Sequence, residues 1–442
     1  MTPAARLQAA ADILDQMSGT RASAEIVLKT WGQNNRYAGS KDRRAIADRV
    51  YACLRAKARL LWAMGKDEKA KDGGRAMVLA SLSLIDGLPL ADIEALYSAA
   101  GYGPKPLTEA ERARLTASGE GEAPGWIDTG MPAFAAERLK AVYGDRWVNE
   151  AEALMLPRAP IDLRVNGDRT PLISGLEMLG YRPEPTPFSA FGIRLPAEPP
   201  PNVRALPAFR QGQIEIQDEG SQLAGFLAGA KPGMTVIDYC AGGGGKTLAL
   251  LQAMEGQGRL IASDVERTRL NNIKPRLARA GLEADLRQLG PEGEGMEDLE
   301  GQADLVLVDA PCSGSGVWRR RPETAHRLEE TEVARLHELQ SAILNRAAKL
   351  VKPGGLLAYA TCSILPDENE ATADTFEAAH PEFQPRAITE ALDTPAITPE
   401  GAKTLETLAQ GHRLRLSPGT SHTDGFFVSL YRRNADTSGH EE

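Results

Sequence analysis

Two cysteines define the chemistry open to this chain. Cys312 lies in D-A-P-C-S-G-S-G (309–316), just past the apolar run L-V-L-V, and Cys362 lies in T-C-S, just past L-L-A-Y-A. A lone free cysteine is more often core filler than reagent. Two of them, each immediately beyond a strand and facing one crevice, read as a working pair. A thiol of ordinary acidity is only a few per cent thiolate at neutral pH, yet it is a strong nucleophile. Asp309 ends the same buried strand that leads to Cys312; Pro311 and the glycine turn after it hold that carboxylate in place beside a cleft.

A second constellation is V-I-D-Y-C-A-G-G-G-G-K-T-L (236–248). An apolar strand ends at Asp238, and Cys240, Ala241, Gly242, Gly243, Gly244, Gly245 and Lys246 lead into a run with helical spacing. Strand, glycine loop and helix bring backbone N–H groups and a helix N-terminus to a polar ligand, and glycine lets that ligand approach main chain. The loop fails the phosphate-loop spelling G-x-x-x-x-G-K-[ST] by one residue, because Cys240 stands where the first glycine belongs. It also fails G-x-G-x-x-G by one, at Thr247. Asp264 ends the next strand about 20 residues on, where a carboxylate accepts hydrogen bonds from ribose hydroxyls; its plain alternative is a helix cap.

A thiol pair beside an adenosine site suits one reaction well. Carbon 5 of a pyrimidine is a poor nucleophile, and thiolate addition at carbon 6 makes it enamine-like, able to take a methyl group from a sulfonium donor. Asp309 can hydrogen-bond the ring near N3, and a base must remove the carbon-5 proton so that the thiol can leave. The six histidines lie in helices, loops and the tail, which disfavours a Ser-His-Asp hydrolase. There is no H-E-x-x-H or comparable spacing, so no catalytic metal is expected.

The surrounding elements must form an open sheet. Strands are expected at Ile214–Ile216, Thr235–Tyr239, Leu260–Ser263, Asp285–Arg287, Leu305–Val308 and Leu356–Ala360, alternating with helices near 219–229, 246–255, 266–280, 332–350 and 367–379. That order predicts an α/β domain with a parallel sheet covered on both faces and ligands beyond the strands' carboxyl ends. A last strand pair at 413–416 and 426–431 closes it. Residues 1–115 show apolar recurrence at three and four positions and read as all-α, with Cys53 as core. Residues 101–125 read as linker, 125–215 as a small α+β subdomain, 216–433 as the α/β domain and 434–442 as a disordered tail.

With 442 residues, 42% hydrophobic and 25% charged, the chain is expected to be globular with several domains. It has no apolar run of membrane-spanning length, and its four cysteines lack C-x-x-C spacing, so a cytoplasmic home without membrane partners is expected. The net charge of −9 disfavours a globally basic coat, but Lys29 to Arg75 carries 13 basic against 5 acidic residues. Such a face attracts polyanions locally.

The chain resembles the RNA 5-methylcytosine methyltransferases of the Sun/RsmB family. The motifs are Q-D-E-G-S (217–221), D-Y-C-A-G-G-G-G-K-T (238–247), Asp264, D-A-P-C-S-G-S-G (309–316), Y-A-T-C-S (359–363) and D-G-F-F (424–427). The resemblance implies a seven-stranded Rossmann-like fold and S-adenosyl-L-methionine as donor, touched by Cys240 to Lys246, Asp264 and Asp309. It implies Cys362 as the nucleophile and Cys312 as the thiol that assists product release. The helical N-terminus is similar to the NusB-type RNA-binding domain, and the segment with L-R-V-N (163–166) to an RNA-contacting subdomain. Small-subunit (16S) ribosomal RNA is the implied partner, and a monomer the implied state. The family usually has Ala-Pro at Gly242-Gly243, so this loop should be floppier, by about 0.5–1 kcal/mol per residue in backbone entropy. Gly290 stands where many relatives place an aspartate near adenine. Trp318 and Arg319 to Arg321 are expected to grip RNA at the cleft rim, since the target base must be unstacked. The competing reading is a non-catalytic RNA-binding or antitermination-type factor with a relict sheet; a nicotinamide-dependent dehydrogenase is disfavoured by the loop spelling.

Overall fold

A computed structural model describes residues 1–66, 73–117, 123–198 and 201–435. The expected tail at 434–442 therefore lies mostly outside the described residues. The chain divides into two compact units, Met1–Pro157 with Trp318–Arg327, and Arg158–Val317 with Leu328–Glu442. Among the described residues no helix is long and apolar enough to cross a membrane.

The first unit is helical. Pro3–Ser18, Ala24–Asn34, Ser40–Arg55, Lys57–Ala63 and Gly74–Leu84 each bury one apolar stripe in a common core that includes Ile13, Ile46, Cys53, Leu60 and Leu79. Thr2 and Ser23 cap the first two through side-chain oxygens. Burial pushes the Cys53 thiol up to about 12, as befits a packing residue. The segment expected to be linker contains a helix, Glu109–Thr116. A Thr108/Glu111 capping box starts it, and Arg75 fixes Glu111 through Nε at 2.8 Å. Helices Gly125–Thr129, Ala133–Tyr143 and Trp147–Met155 also belong to this unit, so the division falls at Pro157 and not between 115 and 125.

The second unit holds two sheets. Strands β1 (Ile161–Val165), β2 (Glu184–Pro185), β3 (Gly192–Leu195) and β4 (Ile214–Ile216) form an antiparallel sheet in the order β2-β3-β1-β4. The expectation that Ile214–Ile216 opens the parallel sheet is thus corrected. This strand pairs with β1 instead, and its Glu215 is held by Arg276 at 2.9 Å and by Arg279.

The large sheet comprises β5 (Thr235–Asp238), β6 (Arg259–Asp264), β7 (Asp285–Gln288), β8 (Ala303–Asp309), β9 (Val351–Thr361), β10 (Phe383–Pro385), β11 (Ala409–Gln410), β12 (Arg413–Leu416) and β13 (Phe426–Arg433). Its order is β11-β12-β13-β9-β8-β5-β6-β7, with β10 on β13, so among the described residues nine strands stand where seven were implied. Strands β5 to β9 are parallel, and β13 runs antiparallel to β9. Alternate residues of β8 and β9 enter opposite cores. Leu305, Leu307, Ala358 and Ala360 pack on one side with Leu248 and Leu250, while Val306, Val308, Leu357 and Tyr359 pack on the other with Ile343, Leu344 and Phe376. Burial on both faces is why these strands read as unbroken apolar runs. Strand order reverses between β5 and β8, which opens a crevice at their carboxyl ends. The helix expected at 266–280 is two pieces, Arg267–Asn271 and Lys274–Ala280, with Pro275 inside the first turn of the second.

Candidate active site

Asp238, Asp264, Asp309 and Thr361 end β5, β6, β8 and β9 at one edge of the sheet, and the side chains singled out from the sequence collect there. Asp238 is buried; its Oδ2 accepts from Thr247 Oγ1 at 2.6 Å, and burial pushes the carboxyl up to about 7. The loop beyond it is tied down. Ala241 N donates to Ser263 O (2.8 Å), Gly242 N to Asp264 Oδ2 (2.9 Å), and Gly244 N to Ala241 O (2.9 Å), while Arg276 donates to Gly243 O. These bonds anchor the loop's main chain to β6 and to helix Lys274–Ala280. Gly242 and Gly244 take positive φ, +55° and +81°, where a Cβ is strained.

Gly243 and Gly245 differ: a Cβ at either would meet no atom closer than 3.6 Å. Internal packing does not demand glycine there, so what they leave open is bare main chain at the start of helix Gly245–Ala253. With Asp264 at the next strand end, this cradle fits the sugar and charged tail of an adenosyl donor. Asp264 is already engaged, accepting from Gly242 N through Oδ2 and from Glu266 N through Oδ1 (2.8 Å). Its turn-capping role is therefore real, and each oxygen retains a second lone pair for a ligand. Beside Gly290, the Glu294 carboxylate fills the space a side chain would occupy, with Oε2 only 2.2 Å from an added Cβ.

Lys246 is buried, and its Nζ lies 2.8 Å from Asp309 Oδ2 and 3.3 Å from Ser221 Oγ, over the Phe426 ring at 5.0 Å. Burial opposes the ammonium charge, and Asp309 more than offsets this, so the Lys246 pKa is raised. The sequence expectation made Lys246 part of the donor loop; the structure adds that it holds Asp309.

Cys312 and Cys362 come from separate strand ends, and their sulfurs meet at 3.3 Å. Backbone bonds set that distance: Ala310 N donates to Ala360 O and Gly316 N to Cys362 O, both at 2.9 Å. The bond to Cys362, followed by burial, holds the Cys312 thiol well above its usual range. Cys240 is also pushed up, by desolvation and three nearby carboxylates, so it suits a lining role better than a nucleophilic one.

Sequence reading missed what braces the two cysteine loops. Glu368 is fully buried and accepts from Ser313 N (2.8 Å), Ser313 Oγ, Ser363 Oγ and Gln340 Nε2 (3.0 Å). The available signal was a carboxylate six residues after Cys362 in P-D-E-N-E, with a serine following each cysteine.

Trp318 and Arg319 are buried, whereas Arg320 is half-buried and Arg321 exposed. Trp318 is 0% exposed and Arg319 5%, and the segment packs within the helical unit. Arg55 donates to Arg319 O (3.3 Å), Ala24 N to Glu323 Oε1 (3.3 Å), and His326 Nε2 lies 3.0 Å from Leu54 O. The expectation is corrected for Trp318 and Arg319, because a Trp followed by arginines looks like a surface grip whereas Trp318 fills a core.

Residues 226–432 match the family described as 16S rRNA methyltransferase RsmB/F. A Ribosomal RNA small subunit methyltransferase B of Salmonella arizonae is 36% identical over 252 residues, covering 55% of this chain and 57% of that protein. The chain thus spans little more than half the length of that relative. A protein of Coxiella burnetii described as a probable ribosomal RNA small subunit methyltransferase B is 32% identical over 317 residues, covering 69% of this chain and 68% of the relative. Among solved structures, a methyltransferase homolog protein from Pyrococcus horikoshii superposes with a TM-score of 0.56 at 28% identity, over 70% of this chain and 97% of that one.

Proposed function

Since the chain belongs to the RsmB/F family of 16S rRNA methyltransferases, we propose that it methylates carbon 5 of a cytosine in small-subunit ribosomal RNA through a transient cysteine adduct. The observation that carries this reading is the 3.3 Å meeting of Cys312 and Cys362 at the sheet edge that also bears the glycine loop and the Lys246–Asp309 pair.

S-adenosyl-L-methionine, held by Cys240 to Lys246 and Asp264, supplies a methyl group on a sulfonium sulfur. The Cys362 thiolate adds to C6, and the displaced electron pair moves onto the ring, near whose N3 Asp309 is read as hydrogen-bonding. C5, now enamine-like, would take the methyl group, the broken C–S bond leaving its electron pair on the donor sulfur as neutral S-adenosylhomocysteine. Loss of the C5 proton to a base then returns the electron pair, the C6–S bond breaks, and the thiolate is regenerated. Cys312, in van der Waals reach of the departing sulfur, assists that release. Lys246 holds Asp309 in place and contributes positive charge beside the pair. The helical unit, with its basic stretch from Lys29 to Arg75, is read as a NusB-like RNA-binding module.

The test is transfer of labelled methyl to 16S rRNA with the product nucleoside identified. 5-Methylcytosine made by the wild type and none by Cys362→Ala, with S-adenosylhomocysteine binding retained, supports the reading. Labelled RNA from Cys362→Ala at the wild-type rate would refute it.

A further inference from the structure

The geometry points to Glu368 as a positioning residue that clamps the Cys312 loop to the Cys362 loop and keeps the proton shared by the two thiols on Cys312. This deepens the thiol-pair reading above and names the device that makes the pair unequal.

Glu368 lies in the short connection between β9 and helix Glu370–Ala379, and none of its surface is exposed. Its two oxygens accept four hydrogen bonds, and three of the donors belong to residues that directly follow a cysteine. Two come from Ser313 and one from Ser363. The fourth donor, Gln340, also bonds Pro311 O at 3.0 Å, so helix Glu330–Leu350 grips the loop leading to Cys312 as well. Around this knot, Tyr359 OH donates to Glu368 O (2.5 Å), and Asn369 Nδ2 donates to Ser363 O (2.9 Å). A carboxylate that satisfies two loops at once holds them at one separation, and the sulfurs inherit it.

Charge supplies the second half of the argument. Two sulfurs 3.3 Å apart do not both ionise readily, because like charges at that distance repel strongly in a buried setting. The charged and titratable groups near the pair are Glu368, Lys246, Asp309, Tyr359 and His337, together with the Arg415–Glu370 pair. Glu368 makes two of its bonds to the residue following Cys312, and its field adds to the forces holding the Cys312 proton. The Lys246 ammonium interacts with Cys362 and sits over Phe426, beside the strand pairing of Phe427 with Thr361. Asp309 is held by Lys246. His337 Nδ1 is occupied by Asp367 O and Thr372, and Arg415 pairs with Glu370. Glu368 thus sets a buried anion against the loop of Cys312, where two of its four bonds fall, and the geometry assigns the retained proton to Cys312.

Glu368→Gln tests charge with shape kept. The amide oxygen can accept from Ser313 N and Gln340, while the amide N–H groups face serine hydroxyls that can rotate to accept. Initial rates of carboxymethylation by iodoacetate at each cysteine, read by mass spectrometry near neutral pH, report the thiolate directly. In the wild type Cys362 should react about tenfold faster than Cys312, and in Glu368→Gln the ratio should narrow to about threefold or less, the change that half a pKa unit or more would produce. Gln340→Met, which disturbs the same knot without removing charge, should keep the wild-type ratio. S-adenosylhomocysteine binding by calorimetry verifies that each variant is folded. A Glu368→Gln protein that binds the analogue yet keeps the wild-type ratio overturns the inference, as does a Gln340→Met protein whose ratio collapses equally. The measurement needs neither RNA nor methyl transfer, so a failure of the methylation reading would leave it decisive.

Discussion

The roles proposed for Cys362 and Cys312 are separable, and their variants should fail differently. Cys362→Ala removes the atom that bonds to C6, so methyl transfer should fall by at least about 1,000-fold while analogue binding stays near wild type. Cys312→Ser should instead trap the enzyme on its RNA, visible as a denaturation-resistant band on a gel; normal turnover without that band would exclude Cys312 from release. Asp238 gives a prediction for stability. Its folded-state pKa is raised to about 7 from 3.8 by burial. The favourable contribution is therefore fully present below the unfolded pKa and is lost as pH rises through about 7. Asp238→Asn, which can still accept from Thr247, should raise Tm relative to wild type more at about pH 8 than at about pH 5. An equal effect at both would show that this carboxyl does not titrate with folding.

At the level of elements, the site depends on loops that meet backbone to backbone. Gly425 N donates to Gly316 O at 2.8 Å, and a Cβ on Gly316 would lie 2.1 Å from Gly425 O. No side chain can move aside to relieve that collision. Gly316→Ala should destabilise the protein by about 2 kcal/mol or more and displace the turn that carries Cys312. Chemical denaturation and the loss of the Cys362-over-Cys312 alkylation preference would report both. Gly242 is a milder case, because its added Cβ meets the mobile end of Arg269. There the cost is the left-handed backbone, about 1–2 kcal/mol for alanine.

For the whole molecule, the proposed attraction of RNA would depend on where charge lies and not on its total. The chain is net negative, yet Arg36, Lys41 and Arg44 lie exposed in the helical unit near Tyr37, which is 71% exposed. Replacing these three cations with alanine should weaken RNA binding and lower its salt dependence by about 0.7 per lost phosphate contact, as for a single strand. Filter binding across a salt series checks this; an unchanged slope would move the RNA path elsewhere. Trp318 and Arg319, by contrast, are core of that unit, and truncating Trp318 should unfold it before it changes any RNA contact.

The sequence alone determined the strand-ending carboxylates, the glycine loop and the two thiols, because each of these depends on local spelling: an apolar run of strand length, then the residue that must face the crevice. It also determined the all-α character of the N-terminus, where periodicity over several turns is decisive. Tertiary structure decided everything that depends on which segments meet. Ile214–Ile216 had a strand's composition, but only pairing chose β1 as its partner. Residues 125–155 had helical pattern, but only packing assigned them to the first unit. Trp318 and Glu368 show the same limit in one residue each. Burial is a property of neighbours distant in the chain, so no local pattern distinguishes a surface grip from a core plug, or a solvated carboxylate from one that holds two catalytic loops together.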